Sequence, residues 1–355
     1  MDGLTHPRDL AAWHRAQLAR QPLRRRLGTM AGVLRTIARP TTRPGAVTLT
    51  RGGPGPVRLL VCLESRSPGS VLALLGPLRS LPDLRGVAVV SPEPVSDLLP
   101  PWPWRESTAV LHEDVPRLAV EAEVVLSTGH YLPLGRAARD AVTDPARFVT
   151  AQHGLLTPDA PPLAEGTTLL AWSAADAAFW ASGRDDLAPP VVVGSQLLWE
   201  AGTPPLATPR PGAAPVFLGQ LHGAELPREL LAAAAESFCR ETGATYRPHP
   251  AERDRTSRAA HARFEAEGIT IDRSGRPLRE LGAPVAAVFS TGVLEAAAAG
   301  LPAYVHCPDP PPWLVAFWDR YGLARWGGAP TPSPERPAVE PSRAAADAIS
   351  GMMTR

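Results

Sequence analysis

The chain has 355 residues, of which 44% are hydrophobic and 20% charged, and its formal net charge is +1. A chain of this length is too long to fold around one ordinary hydrophobic core and is long enough for two domains. Its composition is that of a globular protein. Every basic residue is arginine, which excludes a Schiff-base lysine or a P-loop lysine. The cysteines Cys62, Cys239 and Cys307 form no CxxC pair, so neither a zinc site nor a disulfide framework is predicted.

The N-terminal segment, residues 1–50, is strongly basic: residues 1–51 contain ten arginines and two acidic residues. Apolar residues recur there at helical steps of four and three: Leu23, Leu27, Met30, Leu34 and Ile37. We predict a basic helical segment. It either makes peripheral contact with the inner face of a membrane or packs on its own domain with solvated arginines. No nucleic-acid-binding module is recognisable, so no nucleic-acid partner is expected.

No run approaches the roughly 18 apolar residues of a membrane span, and the N-terminus lacks the apolar core of a signal peptide. The sequence alone therefore predicts a cytoplasmic location.

From Val57 onwards, apolar runs bounded by turn residues alternate with helical segments, which is typical of βαβ units. Near-continuous apolar strands predict a parallel sheet covered on both faces. Residues 51–201 are predicted to form a Rossmann-like acceptor domain. The strand runs lie at 57–63, 86–91, 122–128, 147–151, 167–171 and 189–193.

Residues 202–215 are dominated by proline, glycine and alanine and are predicted to be a linker. The alternation restarts in residues 216–326, which we predict to be a second Rossmann-like domain that binds the nucleotide donor. Residues 327–355 are predicted to be a loose tail with a short helix. The fold class is therefore α/β, with two doubly wound domains facing a central cleft in which a ligand binds.

A strand, a turn and a helix meet at residues 285–300. Ser290 and Thr291 follow the apolar strand and are suited to cap the helix, while Gly292 allows a ligand to approach the backbone. Free amides at such a helix start form a phosphate cradle, and Glu295 is one turn along, in reach of a ribose hydroxyl. An ordinary capped helix explains the same residues.

The stretch "RPHP", residues 247–250, places His249 between two prolines that restrict the backbone on both sides. Arg247 adds a forked, permanently charged donor. We interpret the pair as a phosphate clamp at the end of a strand. In the first domain, His153 and Gly154 follow the strand "RFVTA", and a neutral histidine there can accept a proton from an acceptor hydroxyl. A turn histidine bonded to backbone is the alternative.

Taken in order, "QHG", "VVVGS", "FLGQ", "RPHP" and "STGVLEAAAAGLP" resemble the motifs of GT-B glycosyltransferases. Within that fold the chain is most similar to bacterial cell-surface polymer transferases. These are the CDP-glycerol glycerophosphotransferases of teichoic acid synthesis and the sialyl- and polysialyltransferase-like capsule enzymes, which have an HP motif and a Ser/Thr motif.

This resemblance implies a glycosyltransferase or glycerophosphotransferase. It would move a sugar or polyol phosphate from a nucleotide-activated donor of CMP, CDP or UDP type to a glycan or polyol-phosphate acceptor. It implies two catalytic residues, His153 as general base and, in "LAEG", Glu165 as an acidic alternative. The implied donor-binding residues are Gly219, Gln220, Arg247, His249, Ser290, Thr291, Gly292 and Glu295.

No DxD motif is present, which disfavours metal-dependent GT-A chemistry, so neither a metal nor another cofactor is expected. Two other functions remain open. A sugar-nucleotide 2-epimerase shares the fold but needs acid and base carboxylates, for which Glu165 and Asp159 are the candidates. A non-catalytic relative would bind a nucleotide or glycan without turnover.

Overall fold

The computed structural model describes residues 3–20, 45–223 and 225–353. These residues fall into two compact units. The N-terminal unit contains the described residues up to Leu197 and those from Pro337 onwards, and the C-terminal unit is Leu198–Arg336. The predicted linker at 202–215 belongs to the C-terminal unit. The predicted cleft between the two domains stays a prediction.

The N-terminal unit contains a mixed sheet with helices on its faces. Its strands are β1 (Ala46–Arg51), β2 (Leu59–Cys62), β3 (Val87–Ser91), β4 (Arg105–Val110), β5 (Val124–Ser127), β6 (Phe148–Ala151), β7 (Thr168–Ala171) and β8 (Val191–Val192). Its helices are α1 (Leu10–Arg20), α2 (Pro68–Leu75), α3 (Asp114–Glu121), α4 (Pro133–Ala141) and α5 (Ala174–Trp180). Helix α6 (Gln196–Ala201) spans the boundary of the two units, and α11 (Pro341–Met353) is the last helix.

The strand order is β4-β1-β3-β2-β5-β6-β7-β8. Strands β3, β2, β5, β6, β7 and β8 are parallel, and β1 is antiparallel to both β3 and β4. The α/β class predicted from the apolar runs is confirmed. The antiparallel pair β1 and β4 was not predicted, because residues 46–50 were assigned to the basic helical segment. The helical repeat from Leu23 to Ile37 lies outside the described residues.

Alternation along the strands builds the two faces of this sheet. Leu60 and Cys62 of β2 belong to one buried cluster, whereas Leu59 and Val61 belong to the other. Successive side chains of a strand point to opposite faces, so a strand buried on both sides must be apolar throughout. The continuous apolar run in the sequence follows from this geometry.

The C-terminal end of the chain is part of the N-terminal unit. Ala345 and Ile349 of α11 are buried in the same cluster as Val61, Leu78 and Leu126. The loose tail predicted after Gly327 therefore ends in a helix of 13 residues that contributes to a core.

The C-terminal unit has a four-stranded parallel sheet in the order β10-β9-β11-β12. Its strands are β9 (Val216–Leu218), β10 (Thr245–Arg247), β11 (Val285–Ala287) and β12 (Ala303–Val305). Its helices are α7 (Arg228–Thr242), α8 (Arg255–Ala266), α9 (Thr291–Ala298) and α10 (Pro312–Arg320). Short 3₁₀ turns occur across both units at Gly76–Arg79, Ser96–Leu98, Pro145–Arg147 and Leu278–Glu280.

Local sequence explains where these helices begin and end. Asp254 caps α8 by accepting hydrogen bonds from the amides of Thr256 and Ser257, both at 3.1 Å. Helix α7 ends at Gly243, whose φ of 69° is the left-handed conformation that glycine adopts most easily. The aromatic residues Phe317 and Trp318 of α10 are buried.

None of the helices within residues 3–20, 45–223 and 225–353 combines the length and the apolar character needed to cross a bilayer.

Candidate functional site

Each unit has a point where the chain reverses the direction in which it adds strands. In the C-terminal unit the chain passes from β9 to β10 on one side and then to β11 on the other, so this point lies between β9 and β11. In the N-terminal unit it lies between β2 and β5. Ligands of open α/β sheets bind in the crevice beyond the carboxyl ends of strands at such points. The residues that follow these strands are therefore the candidates.

Arg247 ends β10 and is held in a polar surrounding. One terminal nitrogen donates to the carbonyl oxygen of Arg276, and the other, Nη1, lies 3.5 Å from Asp272 Oδ2. Nη1 is buried and has no hydrogen-bond partner among the described residues. A buried guanidinium nitrogen without an acceptor is unusual, and an anionic ligand oxygen would satisfy it.

Glu295 lies on α9 within electrostatic range of Arg247. Burial raises the pKa of Glu295 above its ordinary value, and the nearby Arg247 guanidinium opposes that shift. Arg247 and Glu295, which the sequence assigned to phosphate and ribose, therefore lie close enough for their charges to interact. A half-buried carboxylate of this kind can accept a hydrogen bond from a sugar hydroxyl.

His249 is exposed, and its ring is oriented by its own loop. Its Nδ1 accepts a hydrogen bond from the Ala251 amide at 3.1 Å, which leaves the proton of the neutral ring on Nε2. Although the residue as a whole is exposed, partial burial of its ring and the neighbouring His222 lower the pKa of His249 to about 4. Near neutral pH the clamp therefore contains one permanent cation, Arg247, and one neutral donor, His249.

Glu252 follows the HP pair and is 4% exposed. It accepts hydrogen bonds from Tyr246 Oη at 2.9 Å and the Leu221 amide at 3.0 Å, and His261 Nε2 lies 2.8 Å away. Burial alone would raise its pKa, but the hydrogen bonds from His261, Tyr246 and the Leu221 amide, together with the nearby His222, lower it. A surface cavity of about 610 Å³ is lined by Pro248, Glu252, Arg258 and His261, among others.

The start of α9 is a capped helix. Ser290 Oγ accepts the Gly292 amide at 3.1 Å, so this hydroxyl is already used by the helix. A Cβ at Gly292 would lie 2.6 Å from Leu218 Cδ1, so any larger residue there would have to displace the Leu218 side chain. Thr291 is the first helical residue. The residues thus form an ordinary capped helix, and binding of phosphate at these amides stays a prediction.

Gly219 and Gln220 of the "FLGQ" stretch hold the strand ends together. Gln220 Oε1 accepts from the amides of Val288 and Phe289 at 3.2 and 3.0 Å, which joins the end of β9 to the end of β11. A Cβ at Gly219 would lie 2.3 Å from Tyr246 Oη. Both residues therefore affect the site by fixing the positions of the strand ends.

In the N-terminal unit, His153 follows β6 as the sequence predicts. Burial lowers its pKa, so the ring is neutral near pH 7, and its Nδ1 is buried without a hydrogen-bond partner in the described part of the chain. The first turn of α2 packs against it, since a Cβ on Gly69 would lie 2.2 Å from the His153 carbonyl oxygen.

Glu165 is placed differently from the prediction. It is exposed and comes just before β7, whereas His153 comes just after β6. Because β6 and β7 are parallel, the end of one and the start of the next lie at opposite edges of the sheet. Glu165 therefore does not share a site with His153. The other predicted carboxylate, Asp159, is paired with Arg20 at 2.6 Å.

Two residues at the carboxyl edge were missed by sequence reasoning. Glu64 follows β2, accepts the Gly135 amide at 2.9 Å at the start of α4, and borders a cavity of about 320 Å³. Burial raises its pKa, against two backbone hydrogen bonds that lower it. His130 follows β5, and burial and nearby arginines lower its pKa to about 4. Their position directly after predicted strands was the available signal.

His222 and Glu252 were missed in the C-terminal unit for a different reason. His222 comes four residues after β9, and Glu252 is separated from β10 by the two prolines. Nothing in their spacing indicates that they meet. Within residues 3–20, 45–223 and 225–353, no group of three or more His, Cys, Asp and Glu side chains is arranged to hold a metal ion.

No family model matches this sequence, and no curated protein matches it. Among solved structures, the chain is similar to a mutant O-GlcNAc transferase of Thermobaculum terrenum. The identity is 14% over 85% of this chain and 65% of the other, with a TM-score of 0.38. The chain therefore spans less than two thirds of the length of that enzyme. A likeness of this degree carries no information on donor, acceptor or catalytic residues.

Proposed function

We propose that this chain is a transferase that uses a nucleotide-activated donor. It moves a sugar or a polyol phosphate to a hydroxyl of a cell-surface glycan or a teichoic-acid-like acceptor. The C-terminal unit binds the donor and the N-terminal unit binds the acceptor. The observation that carries the proposal is Arg247 at a strand end, within electrostatic range of Glu295. Its buried Nη1 makes no hydrogen bond in the described part of the chain, although Asp272 Oδ2 lies 3.5 Å away.

The donor site uses three kinds of group. Arg247 contributes a permanent positive charge for the phosphate oxygens, and His249 contributes a neutral Nε2–H donor. The N-terminus of α9 adds a partial positive charge near Ser290. Glu295 accepts from a ribose hydroxyl. Together these groups stabilise the negative charge that develops on the leaving nucleotide, without requiring a divalent cation.

The acceptor hydroxyl must lose a proton as it attacks the donor. His153 is the proposed base, because burial keeps its ring neutral and a neutral imidazole can accept that proton. The new bond forms between the acceptor oxygen and the activated carbon or phosphorus, and the bond to the nucleotide breaks. The proton goes to the imidazole and the electron pair leaves with the nucleotide phosphate.

Calorimetric titration with CMP, CDP, UMP, UDP and GDP tests the donor site. One nucleotide is expected to bind. Arg247→Ala should weaken it by roughly 10- to 100-fold and His249→Ala by roughly 5-fold, as expected for charge-assisted and neutral hydrogen bonds. Arg240→Ala is the matched control, because Arg240 is exposed and pairs only with Glu236 and Glu267 in the described structure. The affinity of the Arg240→Ala variant for the nucleotide should equal that of wild type.

Failure of all five nucleotides to bind, or equal affinities for Arg247→Ala and wild type, contradicts the proposal. Product analysis with the matching nucleotide sugar or polyol then defines the reaction. A donor changed in the absence of acceptor indicates the epimerase, and tight binding without turnover indicates the non-catalytic relative.

A further inference from the structure

A second histidine lies against the predicted clamp. His222 follows β9 and His249 follows β10, and these two strands are neighbours in the parallel sheet. The two imidazole rings are stacked, with centroids 3.9 Å apart and planes within 16° of parallel. Because both rings lie at the carboxyl edge of the sheet, they form one surface beside Arg247.

The carboxylate of Glu252 lies beside this pair of rings. Its Oε1 lies 4.0 Å from His222 Nδ1 and also accepts the Leu221 amide. Its Oε2 is bound by Tyr246 and His261. The carboxylate is therefore fixed on several sides and cannot turn away. His222 Nδ1 is buried and makes no hydrogen bond within the described residues, although it faces this carboxylate.

The charged and titratable groups around the pair come from several elements. His249 is affected by its burial, by His222 and by Glu252. Glu252 in turn is bound by His261 of α8 and Tyr246 of β10. Arg247, which pairs with Asp272, and Arg253 and Glu225 are charged residues close by along the chain, and Arg228 acts on Tyr246.

We propose that His222 is a phosphate-binding residue of the donor site, and that the stacked His222–His249 pair takes up one proton when the nucleotide phosphate binds. This inference rests on the function proposed above. Glu252 faces one side of the pair and the phosphate faces the other. The proton comes from solvent and is shared within the pair, so the bound complex holds one more proton than the free protein and free nucleotide.

Two imidazolium rings at 3.9 Å would repel each other strongly, so the pair holds at most one positive charge. In the free protein His249 is neutral near pH 7, since its pKa is about 4. Adding a phosphate places a second anion beside the rings, opposite the Glu252 carboxylate. Two flanking anions stabilise one imidazolium, which then donates to the phosphate oxygen.

Calorimetry at pH 7.5 in two buffers of different ionisation enthalpy measures the proton uptake. The probe is the nucleotide found to bind in the five-member panel, and the matching nucleoside and inorganic phosphate are titrated beside it. Wild type should take up between about half a proton and one proton per nucleotide. The nucleoside should bind without uptake. Uptake with inorganic phosphate as well would show that the phosphoryl group alone is sufficient.

His222→Phe is the decisive variant, because it keeps a flat ring stacked on His249 and removes both ring nitrogens. It should abolish the uptake and weaken the nucleotide roughly 10-fold. His306→Gln is the matched control. His306 is a half-buried histidine of the same unit that contacts Ser237, and its variant should bind and take up protons as wild type does.

Glu252→Gln tests the support of the pair and should also lose the uptake. If this buried substitution prevents folding, His222→Phe alone decides the matter. Uptake that persists in His222→Phe, or an unchanged affinity in that variant, overturns the inference. The proposed function still stands if Arg247→Ala weakens the nucleotide. If no nucleotide binds at all, the proposed function has failed and this inference fails with it.

Discussion

Two glutamates, half-buried Glu64 in the N-terminal unit and fully buried Glu252 in the C-terminal unit, have pKa values shifted in opposite directions. Glu64 in the N-terminal unit has its pKa raised by burial, although amides at the start of α4 oppose the shift. Glu252 in the C-terminal unit is fully buried, yet hydrogen bonds from His261, Tyr246 and the Leu221 amide, together with the nearby His222, lower its pKa. The difference shows that the number and kind of donors decide the charge state of a buried carboxylate, and burial alone does not.

The two residues are therefore suited to different tasks. Glu252 is a permanent anion that orients histidines. Glu64 is a carboxyl group whose proton affinity is increased. It follows β2 at the same edge of the sheet at which His130 follows β5 and His153 follows β6. We therefore expect the N-terminal unit to exchange protons and the C-terminal unit to bind anions.

The largest expected effect is that of Glu252→Ala on stability. It leaves the Tyr246 hydroxyl, a ring nitrogen of His261 and the Leu221 amide without their buried acceptor. We expect a loss of about 3 to 5 kcal/mol in the free energy of unfolding of the C-terminal unit. Glu64→Ala should cost about 1 kcal/mol or less, because it also removes an unfavourably buried carboxylate.

Urea denaturation, monitored by hydrogen exchange in peptides from each unit, measures the loss of unfolding free energy in the two units separately. If Glu252→Ala and Glu64→Ala lost the same free energy of unfolding, the donors around Glu252 would add nothing to the stability of the C-terminal unit. The contrast between the two glutamates would then be wrong.

Gly219→Ala should have the next largest effect. The new Cβ would lie 2.3 Å from Tyr246 Oη and 2.6 Å from Glu252 Oε1, so the network must shift. We expect a destabilisation of about 2 to 3 kcal/mol from this overpacking. Gly55→Ala is the control, because a Cβ there meets nothing within 4 Å. Thermal unfolding of both variants checks the prediction, and similar melting temperatures would contradict it.

The pH dependence of stability should separate the two glutamates further. The contribution of Glu252 is present above the ordinary glutamate pKa of about 4.3 and is lost as the pH falls through its lowered pKa. The contribution of Glu64 has the opposite sign: it is present below about 4.3 and is lost as the pH rises through the raised pKa.

Urea midpoints measured from pH 3 to pH 8 provide the check. Glu252→Gln should flatten the acid limb of the curve, whereas Glu64→Gln should gain stability relative to wild type as the pH rises. A single common pH profile for both variants would argue against opposite pKa shifts.

His130 and His249 should stay neutral through the physiological range, since the pKa of each is about 4. Folding stability due to their neutral rings is present above about pH 6.5 and declines as the pH falls towards 4. Ring-proton NMR of the wild type and of the two single His→Gln variants assigns the two titrations. A midpoint near 6.5 for either ring would refute the environment described for it.

The smallest expected effect is that of Glu165→Gln. This side chain is exposed and lies at the edge of the sheet opposite His153. Turnover of the donor and the free energy of unfolding should both stay near wild type, the latter within about 0.5 kcal/mol. A tenfold loss of turnover would restore Glu165 as a catalytic candidate. His153→Gln, measured beside it, is expected to lose activity.

The fold was largely readable from local patterns. Apolar runs identified β2, β3, β5, β6, β7 and β8, because strands buried on both faces must be apolar throughout. Strands β1 and β4 were missed. Residues 105–109 of β4 are mostly exposed, so that strand has no continuous apolar run. The role of α11 in the N-terminal core was also missed, since a return of the chain to an earlier unit leaves no local signal.

For the site, the sequence by itself determined that Arg247 ends a strand and that His249 and His153 follow strands, because turn residues and apolar runs are local features. Only the tertiary structure decided which residues meet. It separated Glu165 from His153, placed His222 against His249, and enclosed Glu252 between them and His261. The reason is that neighbours across a parallel sheet are set by strand order and crossover connections, which join residues far apart in the chain.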